Sequence, residues 1–298
     1  TEFMWEYQYF QRTVKEQVLN LTHEQKIDLW KALKENYLPE NRVYKYDFFF
    51  DNCATRIRDI LQNIIGDKLV LKTHPNENAY SLRELLNNTV NHMPWLGFGM
   101  DLALGSKVDV KADNNKMMFL PKYMYEIYTD SEVLINGKAQ PLVLSERTLI
   151  NGINHEAESS FWSSPNFLFW SIFLISVILT MTKIRFLTKF WDGLLLLIFG
   201  VLGFVILFLW FGTDHATMRP NFNVLWANPF YLFFIIPLMS KKLHNKLNKA
   251  YLGMSVLLIL VIFGAMIIPQ EFNSATSPII LIFTFKFFYW YKETKRVV

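Results

Sequence analysis

The 298-residue sequence predicts an α+β outer domain followed by an all-α polytopic membrane domain. Three observations carry that expectation. Residues 1 to about 160 mix charged, polar and apolar positions as a folded domain does. Beyond them, apolar runs follow one another at residues 166–182, 193–211, 224–239, 251–268 and 278–291. A bilayer core about 30 Å thick needs roughly 20 helical residues, with about 17 as the lower limit. Lys and Arg then crowd every second gap between the runs. The domains are therefore expected at residues 1–160 and 161–298, the second with about five transmembrane helices.

In chain order, residues 6–20 read as a helix. Thr22-His23-Glu24-Gln25 is a capping box, in which Thr and Gln satisfy each other's orphan backbone N–H groups, and it opens a second helix through Glu35. Leu38-Pro39-Glu40-Asn41 ends that helix. The aromatic run 43–50 reads as a strand that turns sharply into a helix at Cys53, closing near Gly66. A further helix covers residues 81–91, and residues 95–105 form a glycine-punctuated turn and short helix. Val133-Leu134-Ile135 and Leu142-Val143-Leu144 flank Asn136-Gly137, a hairpin signal loosened by the longer loop and by Pro141.

Charge asymmetry orients the membrane domain, because short cytoplasmic loops carry the excess of Lys and Arg. Lys183, Arg185 and Lys189 follow the first run, Lys241, Lys242, Lys246 and Lys249 the third, and Lys292, Lys295 and Arg296 the fifth. The other two loops carry Asp214 and Arg219, and then Glu271. The amino-terminal domain and loops 213–223 and 270–277 are thus expected outside, with the carboxyl terminus in the cytoplasm. Pro229 and Pro237 are expected to kink the third span, and Lys286 to snorkel from the fifth. Phe161, Trp162, Trp170, Trp210, Tyr289 and Trp290 fall near span ends, as interfacial anchors do. Residues 1–165 hold 18 positive and 22 negative residues, so the outer domain has no basic stripe for nucleic acid. No metal site and no cofactor is expected. Neither a secretory signal nor an initial Met precedes the outer domain, so an amino-terminal truncation is expected.

Cys53 is the sole cysteine in the sequence and stands where the aromatic run meets its helix. A thiol in the first turn faces unpaired backbone N–H groups and the positive end of the helix dipole, which favour thiolate over thiol. Arg56 and Arg58 add positive charge. The same spacing also supports a bland alternative. Ile57, Ile60, Leu61 and Ile64 continue an apolar stripe from Cys53, which would point the sulfur toward the core as a small hydrophobe.

Tyr7 to Thr22, Pro39-Glu40-Asn41-Arg42, Asp51-Asn52-Cys53-Ala54-Thr55-Arg56-Ile57-Arg58, the segment 95–105 and Phe119-Leu120-Pro121 together resemble, in that order, the Lnb N-terminal periplasmic domain family. The multi-span tail resembles that of its lipoprotein N-acyltransferase members. The resemblance implies a papain-like, permuted thiol fold in the bacterial inner membrane. It also implies an activity: an acyl chain would pass from phospholipid, through a thioester on Cys53, to the α-amino group of a lipidated amino-terminal cysteine. Such a reaction needs donors for a tetrahedral oxyanion, and the Cys53 N–H and the Asn52 side chain are the candidates. Asn52 reads equally as an N-cap. Arg56 is a candidate for a lipid phosphate or an ordinary ion pair with Asp59 or a Glu.

A thiol also needs a base. The resemblance implies a Gly-His segment upstream of the first residue here, and His23 is the only histidine before Cys53. His23 reads as an exposed capping-box residue, and His74 and His92 as solvated loop residues. The outer loop 211–223 offers His215 for proton transfer and Arg219 for a lipid phosphate, or else is an interfacial loop of helix caps. Two other readings stay open: a papain-like cell-wall amidase or peptidase, and a non-catalytic membrane scaffold.

Overall fold

The computed structural model describes residues 2–153, 160–182 and 184–295. Its elements run α1 (Glu2–Tyr9), β1 (Val14–Leu19), α2 (His23–Tyr37), α3 (Cys53–Ile65), β2 (Leu69–Val70), α4 (Leu82–Thr89), α5 (Pro94–Ala103), α6 (Asn114–Met117) and α7 (Pro121–Asp130). They continue with β3 (Glu132–Ile135), β4 (Lys138–Pro141), β5 (Val143–Ile150), α8 (Pro165–Thr182), α9 (Arg185–Phe211), α10 (Leu232–Met239), α11 (Lys241–Lys246), α12 (Asn248–Gly264) and α13 (Thr276–Lys295). Two compact units result: Thr1–Leu85 with Lys111–Ala157, and Leu86–Val110 with Glu158–Val298.

The first, outer unit is α+β. The Thr22 capping box forms as read, with Gln25 N–H donating to Thr22 Oγ1 and Gln25 Oε1 accepting from Thr22 N–H. The helix expected over residues 6–20 does not: α1 stops at Tyr9, and Val14–Leu19 is a strand antiparallel to β5. Val14 and Val18 suit a strand, and the partner that decides the matter lies more than a hundred residues away, beyond the reach of local periodicity. The hairpin is tighter than expected. Asn136 and Gly137, both with positive φ, join β3 to β4 directly, and residues 143–150 leave to pair with β1. Phe49, Leu61, Leu82, Met117, Phe119, Ile127 and Val133 are among the buried side chains of this unit.

The second, membrane unit includes residues 86–110, which the sequence assigns to the outer domain. The carboxyl end of α5 explains their attachment, since the last carbonyls of any helix lack intrahelical donors. Asn223 Nδ2 donates to Asp101 O at 2.9 Å and Asn221 Nδ2 to Leu102 O at 2.8 Å and Ala103 O at 3.1 Å. Asn273 Nδ2 reaches the Asp101 carboxylate at 2.8 Å. Just beyond α5, Gly105 N–H donates to Thr217 O and Ser106 N–H to Pro220 O. A Cβ on Gly105 would lie 2.4 Å from Pro220 O, so no larger residue fits.

Helices α8 and α9 are each long and apolar enough to cross a membrane. The third run is broken: residues 216–225 and 229–239 form a pair bent by 41°, which makes a third span if taken together. Helix α12 is shorter, at 17 residues, and the charges of α13 keep it from qualifying by composition. The kink expected in the third run is thus a break ahead of Pro229. On α9 the glycine at 203 lets segment 227–229 approach, where a Cβ would sit 2.4 Å from Ala227 O. Lys286 does not snorkel. It is buried, with Nζ 2.6 Å from Asp192 Oδ1 and 2.6 Å from Thr180 Oγ1, because α8 and α9 bring it partners at depth. Lys183 and Arg296 lie outside the described residues.

Candidate functional site

The approach to Cys53 is a closed turn and not the strand expected from its aromatic residues. Asp47 and Asp51 exchange both backbone hydrogen bonds at 3.0 Å, and Asp47 Oδ1 accepts from the N–H groups of Phe49 and Phe50. An Asp side chain that catches the backbone two residues on favours a turn whatever the strand propensity of its neighbours. Phe48 and Phe49 pack on Phe119, at ring separations of 6.0 and 4.8 Å.

Asn52 then caps α3. Its Oδ1 accepts from Ala54 N–H and Thr55 N–H, both at 2.8 Å, and Thr55 Oγ1 accepts from Asn52 N–H at 2.8 Å. Its Nδ2 donates to Phe48 O at 2.8 Å and Phe119 O at 2.9 Å. Both amide hydrogens are spent on carbonyls, so Asn52 fixes the helix start and has no donor left for an oxyanion. The Cys53 N–H has no acceptor among the described residues, and it is the donor that remains beside the sulfur.

Cys53 itself is exposed, which corrects the core-facing orientation suggested by spacing. Helix α3 is rotated from the expected stripe: Ala54, Thr55, Leu61 and Ile65 are buried, whereas Ile57, one turn from Cys53, is 51% exposed. Hydrogen bonding makes polar residues acceptable on the inner face, with Thr55 in the cap and Arg58 donating to Asn115 O at 2.6 Å.

Arg56 makes the ordinary ion pair that was one of its two readings, but with Asp51 and not with Asp59 or a Glu. It grips Asp51 through Nε at 2.8 Å and Nη2 at 3.1 Å, while its guanidinium lies 3.5 Å from the centre of the Tyr44 ring. The hydrogen bonds to Asp51 raise its pKa further. Arg58 takes Asp59 at 2.7 Å. Tyr46 was not singled out in the sequence. Its hydroxyl is held above the usual phenol range by partial burial first and then by the nearby Cys53 sulfur, with Tyr44 and Asp47 adding to the effect. The aromatic run gave no signal that distinguishes Tyr46 from its neighbours.

Among the described residues no histidine contacts Cys53. His23 begins α2 and is exposed. His74 is not the solvated loop residue expected: Nδ1 accepts from Asn76 N–H, Nε2 lies 3.4 Å from Glu126 Oε2, and the ring meets Tyr123 edge-on. His215 and Arg219 belong to the membrane unit. Both are exposed on loop 213–223, whose buried residues Thr217, Asn221 and Asn223 hold it to residues 101–105. The described residues contain no group of three or more His, Cys, Asp or Glu suited to a metal ion.

An exposed thiol on a rigidly capped helix start, in a chain that also carries a helical membrane unit, defines a membrane-attached protein with a candidate thiol site. The family model of the Lnb N-terminal periplasmic domain matches residues 1–88, and that of the Lnb transmembrane domain matches residues 156–297. The chain belongs to the Lnb family, with a periplasmic domain and a transmembrane domain, the arrangement of an inner-membrane protein. Residues 95–105 and 119–121, which carry part of the resemblance, fall between the two matches. No curated protein and no solved structure matches the chain.

Proposed function

We propose that this protein is a bacterial lipoprotein N-acyltransferase of papain-like design, spanning the inner membrane about five times with its carboxyl terminus in the cytoplasm. The observation that carries the reading is Cys53, exposed at a fully bonded cap with its own N–H free among the described residues. The Cys53 thiolate attacks the ester carbonyl of a phospholipid, the C–O bond breaks, and a lysophospholipid leaves with a proton. The α-amine of a lipidated amino-terminal cysteine then attacks the thioester, the C–S bond breaks, and the sulfur is released as the amine loses its proton. Each step passes through an oxyanion, for which the Cys53 N–H is the backbone donor.

Tyr46 adds a second donor. A phenol whose pKa is raised keeps its proton, so it can hydrogen-bond to the thiolate or the oxyanion but is a poor base. Asn52 is a positioning residue, and Arg56 stiffens the turn through Asp51. Arg219 is the candidate for a lipid phosphate and His215 for proton transfer on the membrane unit. The test is intact mass of the full chain incubated with phospholipid. An acyl adduct is expected on the wild type and not on Cys53→Ala, followed by discharge onto a free-amine lipopeptide. No adduct on folded protein, or cleavage of murein fragments in preference to lipopeptide acylation, removes the reading.

A further inference from the structure

Where α9 begins and α13 ends, the membrane unit holds a cavity of about 330 Å³, large enough for a small ligand. Three cations line it: Arg185 and Lys189 from the start of α9, and Lys241 from the start of α11. Two carboxylates share the lining. Asp192 is already matched by Lys286 Nζ, 2.6 Å away, and Glu293 is met by His244 Nε2 at 3.8 Å. Arg185 and Lys189 also lie in the field of Glu293, yet none of the three cations closes an ion pair among the described residues. The lining therefore carries more positive charge than its own carboxylates neutralise.

Helix α9 adds to that sign. The leading N–H groups of any helix lack intrahelical acceptors and form its positive end; ahead of Arg185 stands Ile184, which has no side-chain cap to give them, and the first turn holds no acidic residue. Asn245, half-buried on the lining, makes no side-chain hydrogen bond among the described residues and has its amide to donate. Guanidinium, ammonium groups, amide and bare helix start together suit a phosphate, which has oxygens enough to meet them. Leu238 and Trp290 add apolar surface to the lining, and Phe186 and Phe190, beside the cations in sequence, are 81% and 61% exposed, as side chains that meet hydrocarbon are. Basic pockets between membrane helices hold phosphate head groups in this way. We propose that the cavity binds a phosphate group, as a lipid head group or as the free anion, with Arg185, Lys189 and Lys241 as its cations. It is not the phosphate of the acyl donor. Loop 213–223, where Arg219 is the candidate for that role, follows the far end of α9, and 27 residues of helix extend about 40 Å. The inference needs nothing from Cys53.

Native mass spectrometry counts the molecules bound to the full chain in a neutral detergent, titrated with short-chain phosphatidylglycerol, with the matching diacylglycerol, which lacks the phosphate, or with inorganic phosphate. Phosphatidylglycerol is expected to bind at least about tenfold more tightly than the diacylglycerol, the scale of one charge-assisted hydrogen bond. Arg185→Gln with Lys189→Gln and Lys241→Gln should erase that difference. Lys242→Gln with Lys246→Gln and Lys249→Gln removes the same charge outside the cavity and should leave it intact. Inorganic phosphate that binds as tightly as the lipid makes the free anion the occupant, and tighter binding of the lipid makes it a head group. Should the first triple variant fail to fold, Lys241→Glu alone, at an exposed position, is expected to weaken binding by a similar factor. Equal affinity for the diacylglycerol with no phosphate bound, equal losses in both triple variants, or undiminished binding by Lys241→Glu would overturn the proposal.

Discussion

At the start of α3, Asn52 and Thr55 are buried and hydrogen-bonded and Ala54 is buried beside them, while Cys53 stands in solvent. In the membrane unit, Asp192 and Lys286 have side chains only 2% exposed and are bonded to each other. Polar burial orders an exposed helix start in the first case and joins helices in the second. In the outer unit it builds a stiff ledge that presents a neighbour. In the membrane unit it ties α9 to α13, with Thr180 of α8 as a third point of attachment, where burial makes an isolated charge costly.

The largest effect expected from this contrast is at the ion pair. Lys286→Met leaves a carboxylate buried without its cation and should cost about 3–5 kcal/mol, read as thermal unfolding in detergent. Adding Asp192→Leu should recover most of that loss, and a double variant as unstable as the single would break the contrast. Asn52→Ala comes next. It removes a cap and two donors to buried carbonyls, for about 2–3 kcal/mol, visible as faster hydrogen exchange in α3. Gly105→Ala should cost about 1–3 kcal/mol by overpacking against the Pro220 carbonyl, in the same unfolding assay. Smallest in stability are Cys53→Ser and Tyr46→Phe, each expected within about 0.5 kcal/mol of wild type. Cys53→Ser should nevertheless abolish the thioester, and Tyr46→Phe should slow acyl transfer by up to about 100-fold. A Tyr46→Phe protein that turns over normally would confine the donor role to the Cys53 backbone.

Elements whose signals are local were legible in the sequence. The Thr22 box needs only residues 22 to 25, and α3 begins at Asn52 and ends at Gly66, whose φ of +62° suits glycine. Features set by distant partners were not. Val14–Leu19 is a strand because β5 meets it, and α3 turns Cys53 outward because Asn52 finds the Phe119 carbonyl and Arg58 finds the Asn115 carbonyl. The position of Lys286 near the end of an apolar run suggested snorkelling, and nothing local announces that Asp192 waits across the bundle. At the candidate site the place of Cys53 at a helix start and its Asn52 cap were readable. The spent amide of Asn52, the clasp of Arg56 on Asp51 and the nearness of Tyr46 required coordinates.

The outer unit is interrupted in sequence: residues 86–110 leave it for the membrane unit and the chain then returns. This has a consequence for biosynthesis. The carbonyl of Leu102 is made 119 residues before the Asn221 amide that donates to it, so α5 emerges from the ribosome with its carboxyl end bare. A fragment released at residue 157 would keep that end bare permanently, and secretion of the outer unit alone is expected to give a protease-sensitive product until the later helices are supplied in trans.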